Sequence, residues 1–263
     1  MKSVGLILCS AALLAAMCAC KTQYDLILES NDVDVKYNAA FDYFNEGKYT
    51  KSAELFESLS VLAGNTDRAD TIQYYWGLSN YSAGDYYTAE ANFDKFVNTY
   101  PYSPFMESAS FLRIDCLYRA TLRYELDQTP TYTAMRAISA YMIDNPDGPN
   151  DEICRHMLQD LGDRLDKKAF ENARLYYTME DYKASRVAFK NILRDDAENI
   201  YREDILYYAA MSSYNYAFNS VPSKQKERYL TFVDDYLNFV GEYPESHYRP
   251  ELDALYDKVR EKI

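Results

Sequence analysis

The chain has 263 residues, of which 48% are hydrophobic, with only eight glycines and eight prolines, so it can fill a core and leaves little for long loops. A net charge of −13, with no stretch of lysine and arginine interleaved with aromatics, argues against nucleic acid as a partner. Runs of valine and isoleucine of the strand type are nearly absent, which argues against a sheet; 28 tyrosines suit stacked helices whose rings are buried while their hydroxyls stay wet.

Lys2 precedes an apolar run from Val4 to Met17, about 14 residues, too short to span a bilayer and right for the core of a secretory signal. The run closes on Leu13-Leu-Ala-Ala-Met-Cys18-Ala-Cys20, which resembles a bacterial lipoprotein signal. Cys20, after the small Ala19, fits the lipidated position better than Cys18 after the bulky Met17. Each buried methylene contributes roughly 0.8 kcal/mol, so one acyl chain is marginal and several hold firmly. Residues 1–19 are therefore expected to be a signal peptide, and 20–33 a lipidated N-terminus and polar tether. Lys21-Thr-Gln-Tyr24 lacks both an inner-membrane retention aspartate and an acidic export run. The expected address is the periplasmic face of a Gram-negative outer membrane.

From residue 34 a pattern recurs. Gly47, Tyr49, Ser52, Phe56 and Leu59 return as Gly84, Tyr86, Ala89, Phe93 and Phe96, and again as Glu180, Tyr182, Ser185, Phe189 and Ile192. A turn residue, a tyrosine, a small residue and an apolar pair at these spacings mark the second helix of a helix-turn-helix repeat. The first repeat pairs a helix over 34–45 with one over 50–62. In the second, Gly77 and the closing Tyr100-Pro101 complete the tetratricopeptide pattern. In the third, the first helix runs from about Pro104 to Arg123, an insertion carries Glu125–Pro130, and Thr129 as N-cap with Pro130 at the first helical position opens the next helix. Ala134, Ile138, Tyr141 and Pro146 then keep the spacing of Ala89, Phe93, Phe96 and Pro101.

Past a turn at 147–150, residues 151–178 read as one long helix ending in the first half of repeat four. Repeat five occupies 201–219 and 224–241, with Phe232 where the small residue belongs, and the helix over 250–262 is polar on one side, as a terminal cap must be. The expected fold is all-α: a right-handed α-solenoid of about five helix pairs with a C-terminal capping helix, divided into N-terminal repeats 34–146 and C-terminal repeats 147–263.

Catalytic and metal signatures do not emerge. His156 and His247 have no cysteine or histidine at ligand spacing, Asp32 and Asp34 lack the turn glycine of a calcium loop, and Asp195-Asp196 and Asp234-Asp235 read as solvated charge. No cofactor and no enzymatic activity are expected. Cys116 and Cys154 lie on different expected helices, and their pairing stays open.

Several longer stretches carry a resemblance: Asn38–Phe56, the Tyr100-Pro-Tyr-Ser-Pro104 junction, the Leu126-Asp-Gln-Thr129 insertion and Phe170–Ala184. Together with the signal they resemble the BamD family of outer-membrane β-barrel assembly lipoproteins along the whole chain. Ala197, where a proline would close repeat four, and Phe232 depart from it. The resemblance implies a non-catalytic adaptor. It implies docking of the barrel-shaped BamA subunit by the C-terminal repeats, where Arg194 at a helix end is a candidate contact, and receipt of unfolded barrel proteins by the N-terminal ones.

In tetratricopeptide stacks the first helix of each pair lines the concave face. That places Tyr37, Phe41, Tyr74, Leu78 and Tyr81 toward a peptide groove, with Arg113 ready for a terminal carboxylate. The same rings would equally serve as packing between helices, and Arg113 as a surface ion pair. A glycan-binding outer-membrane lipoprotein or a periplasmic cell-wall coordinator built on the same repeats are alternatives; the chain lacks the interleaved loops of the first and the coiled-coil segment of the second.

Overall fold

The computed structural model describes residues 22–263; the expected signal peptide, residues 1–19, and Cys20 lie outside the described residues. Among the described residues there are twelve helices and no strand, as the repeat pattern requires. We number them α1 (Gln23–Glu29), α2 (Val33–Asn45), α3 (Tyr49–Leu62), α4 (Ala69–Ala83), α5 (Tyr86–Thr99), α6 (Met106–Arg119), α7 (Thr129–Asp144), α8 (Asp151–Thr178), α9 (Tyr182–Asp195), α10 (Arg202–Phe218), α11 (Pro222–Glu242) and α12 (Arg249–Arg260). None is long and apolar enough to cross a membrane. The chain forms two compact units: the first runs to Ala120 and includes Ala137–Asn145, the second comprises Thr121–Arg136 and Pro146–Ile263.

In the first unit, α2 to α6 pack in sequence, each against the next. The repeated small residue explains the close approach: Ser52 is fully buried on α3, and its hydroxyl reaches both the Ala40 carbonyl (2.9 Å) and the Ser79 hydroxyl (3.0 Å). Phe56 and Leu59, and in the next pair Phe93 and Phe96, are completely buried beside it. Gly77 is required by the same packing, because a Cβ there would lie 2.8 Å from the Phe93 ring. Gly47 and Gly84 end α2 and α4 with φ of 73° and 84°, the left-handed region glycine enters freely.

The segment expected to be a tether is partly folded. Thr22 caps α1 in a reciprocal box with Asp25, and Tyr24 is buried against α2 and α3. Its ring meets Tyr43 edge-on at 5.4 Å and its hydroxyl donates to Glu54 and to the Lys51 carbonyl. From the other side, the buried Lys36 ammonium donates to the Leu28 carbonyl at 2.8 Å and to Ser58. Seven residues cannot hold a helix alone; tertiary contacts hold this one.

In the second unit the insertion departs from expectation. Helix α6 stops at Arg119, four residues early, and Thr121–Gln128 is instead held by α8: Arg164 donates to the Thr121 hydroxyl and Lys168 to the carbonyls of Tyr124 and Leu126. Thr129 is the first helical residue rather than the cap; Asp127 accepts from its amide and hydroxyl. Helix α8 is the single long helix anticipated for 151–178. Helix α9 closes without a proline because Asp196 accepts the Glu198 amide and Asp166 the Ile200 amide.

Phe232 is accommodated by bulk removed from its partner helix, since α10 presents Ala209, Ala210, Ser212, Ser213 and Ala217. Pro222 opens α11 at its first turn. Asp234 is exposed as expected, but Asp235 is not: it is 2% exposed and bound from three sides. Cys116 and Cys154 are both free and buried, and burial pushes the Cys116 thiol up to about 12, so it behaves as a small apolar residue.

Candidate binding site

The first helices of the first two repeats, α2 and α4, carry the residues expected to line a peptide groove. Tyr37 and Phe41 are one turn apart on α2, so their rings meet at 4.9 Å, and both are half-buried. Arg68 lies 4.8 Å over the Tyr37 ring while ion-paired to Asp34 at 2.7 Å, which fixes the cation against the aromatic face. Phe41 packs edge-on against Phe56 and Tyr75.

Tyr74 is drawn further in. It is 7% exposed, stacked at 4.4 Å on Phe105, and its hydroxyl shares a 2.8 Å hydrogen bond with Ser108. Leu78 packs against the same buried cluster. Tyr81 donates to the buried Asp115 at 2.5 Å, and Arg119 bonds the same carboxylate oxygen while lying 5.6 Å from the Tyr81 ring. Burial, followed by that hydrogen bond to Asp115, pushes the Tyr81 hydroxyl up to about 12, so the phenol remains a donor throughout the physiological range.

Arg113, on α6, faces a different feature: a cleft of about 630 Å³ between the end of α5, α6 and the second half of α7. Val97, Met106, Ile114, Ala137 and Tyr141 give it apolar walls; Glu107 and Asp144 sit among its polar lining. The Arg113 guanidinium is already engaged, its Nε lying 3.2 Å from Glu90 and 2.9 Å from Asp94. An incoming carboxylate therefore competes with two resident ones.

The structure thus brings Tyr37 and Phe41 together, takes Tyr74, Leu78 and Tyr81 into the contacts among α4, α5 and α6, and sets Arg113 in the adjoining cleft. Tyr75 and Phe105 were missed as organisers. Tyr75 meets Phe41, Phe44, Phe56, Tyr74 and Phe105, and only its place directly after Tyr74 in an aromatic run hinted at it. In the second unit, Arg194 lies exposed near the end of α9, 3.0 Å from the neighbouring Asp195.

Comparison with known proteins adds independent findings. A profile of the YfiO family, described as outer membrane lipoprotein, matches residues 29–206. A curated relative, outer membrane protein assembly factor BamD from Caulobacter vibrioides, is 20% identical over 168 residues, covering 64% of this chain and 55% of the relative. The match thus spans little more than half the relative's length. Among solved structures, a TPR repeats protein from Bacteroides fragilis superposes with a TM-score of 0.41 and 14% identity, over 89% of this chain and all of that one.

Proposed function

Because the chain belongs to the YfiO family of outer membrane lipoproteins, we propose that it is a non-catalytic adaptor in the assembly of β-barrel proteins in the outer membrane. In this reading acyl chains on Cys20 hold it at the periplasmic face, and it works by holding other polypeptides: a BamA-like barrel subunit and unfolded barrel proteins. The observation that carries the reading is the family match, which begins at the end of α1 and reaches into α10. The printed name of the Caulobacter relative, an outer membrane protein assembly factor, supports the same direction.

The first unit supplies residues suited to an extended peptide. Tyr37 and Phe41 offer half-buried rings, and Leu78 and Tyr81, packed with Tyr74 among α4, α5 and α6, stay partly exposed along α4. Arg113 would receive a terminal carboxylate by exchange with Glu90 or Asp94, a charge-neutral swap in a partly desolvated cleft. Arg194 remains the proposed contact to the barrel subunit.

The test is depletion of the protein in its native bacterium, followed by quantification of outer-membrane barrel proteins and mass spectrometry of what co-purifies from membranes. The expected result is a general loss of barrel proteins and recovery of a BamA-like subunit. Normal barrel levels after depletion would overturn the reading.

A further inference from the structure

Between the lipidated position and the folded first unit there is no room for a tether. One residue, Lys21, separates Cys20 from Thr22, and Thr22 already caps α1. Two residue steps reach at most about 7 Å, comparable to the depth of one headgroup layer. Nor can α1 swing on its start, because it is held at both ends. Tyr24 meets the Tyr43 ring and donates to Glu54 and the Lys51 carbonyl, while the Leu28 carbonyl accepts from the buried Lys36 ammonium at 2.8 Å. The chain's point of entry is therefore fixed in direction as well as in distance.

These contacts identify the end of the unit that the anchor meets. Tyr24, at the start of α1, touches Tyr43 in the last turn of α2 and Lys51 in the first turn of α3. Leu28, near the other end of α1, bonds Lys36 in the first turn of α2, whose ammonium also donates to Ser58 far along α3. The chain thus enters beside the turn between α2 and α3, and the 14 residues of α3 lead away from it. That turn end also differs in charge from its counterparts. Lys48 and Lys51 stand where the second pair has Asp85 and Thr88, and where α8–α9 has Asp181 and Ala184. Lys51 lies 4.8 Å from the Tyr24 ring and 5.6 Å from Tyr43, and makes no ion pair among the described residues. Glu46 is paired with Lys48 at 2.7 Å, Glu54 with the Tyr24 hydroxyl, and Asp25 with Thr22.

We propose that the first unit rests directly on the lipid surface, with the turn between α2 and α3 against the headgroups and Lys48 and Lys51 facing their phosphates. The inference rests on acylation at Cys20 as proposed above, and adds to it an orientation. Half-buried Tyr43 and Tyr49 stand beside the two lysines and supply the ring-and-hydroxyl chemistry that suits a membrane interface. The far end of α3, where Val61 and Leu62 are exposed, then points away from the lipid. Lysines near an anionic lipid surface are attracted to it, so the charge holds the end that the short connection has already delivered.

The test uses the mature full chain, purified with its acyl groups and spin-labelled at Thr50→Cys or Val61→Cys. Both positions are exposed, and the buried Cys116 and Cys154 escape the label. Vesicles of phosphatidylethanolamine and phosphatidylglycerol carry a trace of gadolinium-chelating lipid. With about 16 Å of helix between the two positions, the label at residue 50 is expected to relax about tenfold faster than the label at residue 61. Lys48→Glu with Lys51→Glu should cut the enhancement at residue 50 by about half, with circular dichroism unchanged. Equal relaxation at the two positions, or indifference to the double substitution, would overturn the assignment. Flotation and the mass of the N-terminal peptide are read on the same sample. A chain without acyl mass overturns the anchoring reading and this orientation together, whereas an acylated chain with equal relaxation overturns the orientation alone. A label at residue 50 shielded from both the lipid-borne and a dissolved gadolinium chelate would overturn it in favour of a second copy covering that end.

Discussion

Between α3, α4 and α5 of the first unit the buried polar layer is neutral: Ser52 with Ser79, and Gln73 donating at 3.2 Å to both the carbonyl and the side-chain oxygen of Asn92. Among the described residues the Nδ2 atoms of Asn80 and Asn92 have no hydrogen-bond partner. In the second unit the serine pair recurs as Ser185 with Ser212 at 3.0 Å, but the rest of the layer is ionic. Asp235, in register with Asn92, accepts from Arg186 at 2.6 and 3.1 Å, from Lys190 at 2.8 Å and from Ser213. Arg186 and Lys190 occupy the registers of Ala53 and Glu57, so neither cation has a counterpart in the first unit. One backbone arrangement thus tolerates either an amide layer or a charge layer at the same depth. The difference lies in what happens when a partner is removed.

The largest expected effect follows from that. Asp235→Ala strands Arg186 and Lys190 over a buried position and should lower the stability of the second unit by about 3 kcal/mol, the low end for breaking a buried pair because both cations keep some exposure. Asn92→Ala in the first unit should cost about 1 kcal/mol, since it removes a neutral hydrogen bond and an amide nitrogen without a partner. Denaturant unfolding of both variants would measure the gap; equal losses would break the comparison.

The pH dependence sharpens it. Burial pushes the Asp235 carboxyl up, but the bonds from Arg186, Lys190 and Ser213 outweigh burial and hold it below the ordinary value. Its contribution is therefore present above the unfolded carboxylate value of about 3.9 and lost as pH falls through the lower, folded one. An Asp235→Asn chain should be less stable than the parent at neutral pH, with the difference shrinking below about pH 4. A difference that grows on acidification would refute the sign.

Gly77→Ala probes the neutral side. The new Cβ would meet the Phe93 ring from 2.8 Å, in a layer where Phe93 is fully enclosed, so the cost should be about 2 kcal/mol. Calorimetry resolving the transition of the first unit would register it. A neutral outcome would mean that α4 and α5 can separate cheaply, contrary to the density their burial implies.

The repeat skeleton was legible because each copy needs the same small residue, tyrosine and apolar pair to seat one helix on the next, and a requirement that recurs locally leaves a period in the chain. What escaped depends on distant partners. Asp235 reads as surface charge until Arg186, far back in sequence, is seen to reach it. Helix α1 reads as tether because its reason for folding lies in Tyr43, Lys51 and Glu54. Arg113 was legible as a cation near the expected groove, but not its occupancy by Glu90 and Asp94. Arg119 and Tyr81, which enclose Asp115, were not legible as a set: the first was read as helix and the second as groove.

The smallest effect concerns the turns. Gly47 and Gly84 end their helices in the left-handed region, and Glu180 stands in register with Gly47 at a φ of 62°. The backbone hydrogen bonds are the same in each case: Lys48 donates to the Tyr43 carbonyl at 2.8 Å and Asp181 to the Tyr176 carbonyl at 3.0 Å. A residue with a Cβ costs about 1 kcal/mol in this conformation, and glycine gives back part of the gain through its freer unfolded chain. Glu180→Gly should therefore stabilise the second unit by about 0.5 kcal/mol. It should do so without disturbing Tyr176, since the same turn geometry already accommodates glycine beside Tyr43. A rise in the unfolding midpoint of the second unit would show that the turn carries strain that glycine relieves. A loss of stability would mean that the Glu180 side chain is held by contacts worth more than the strain it carries.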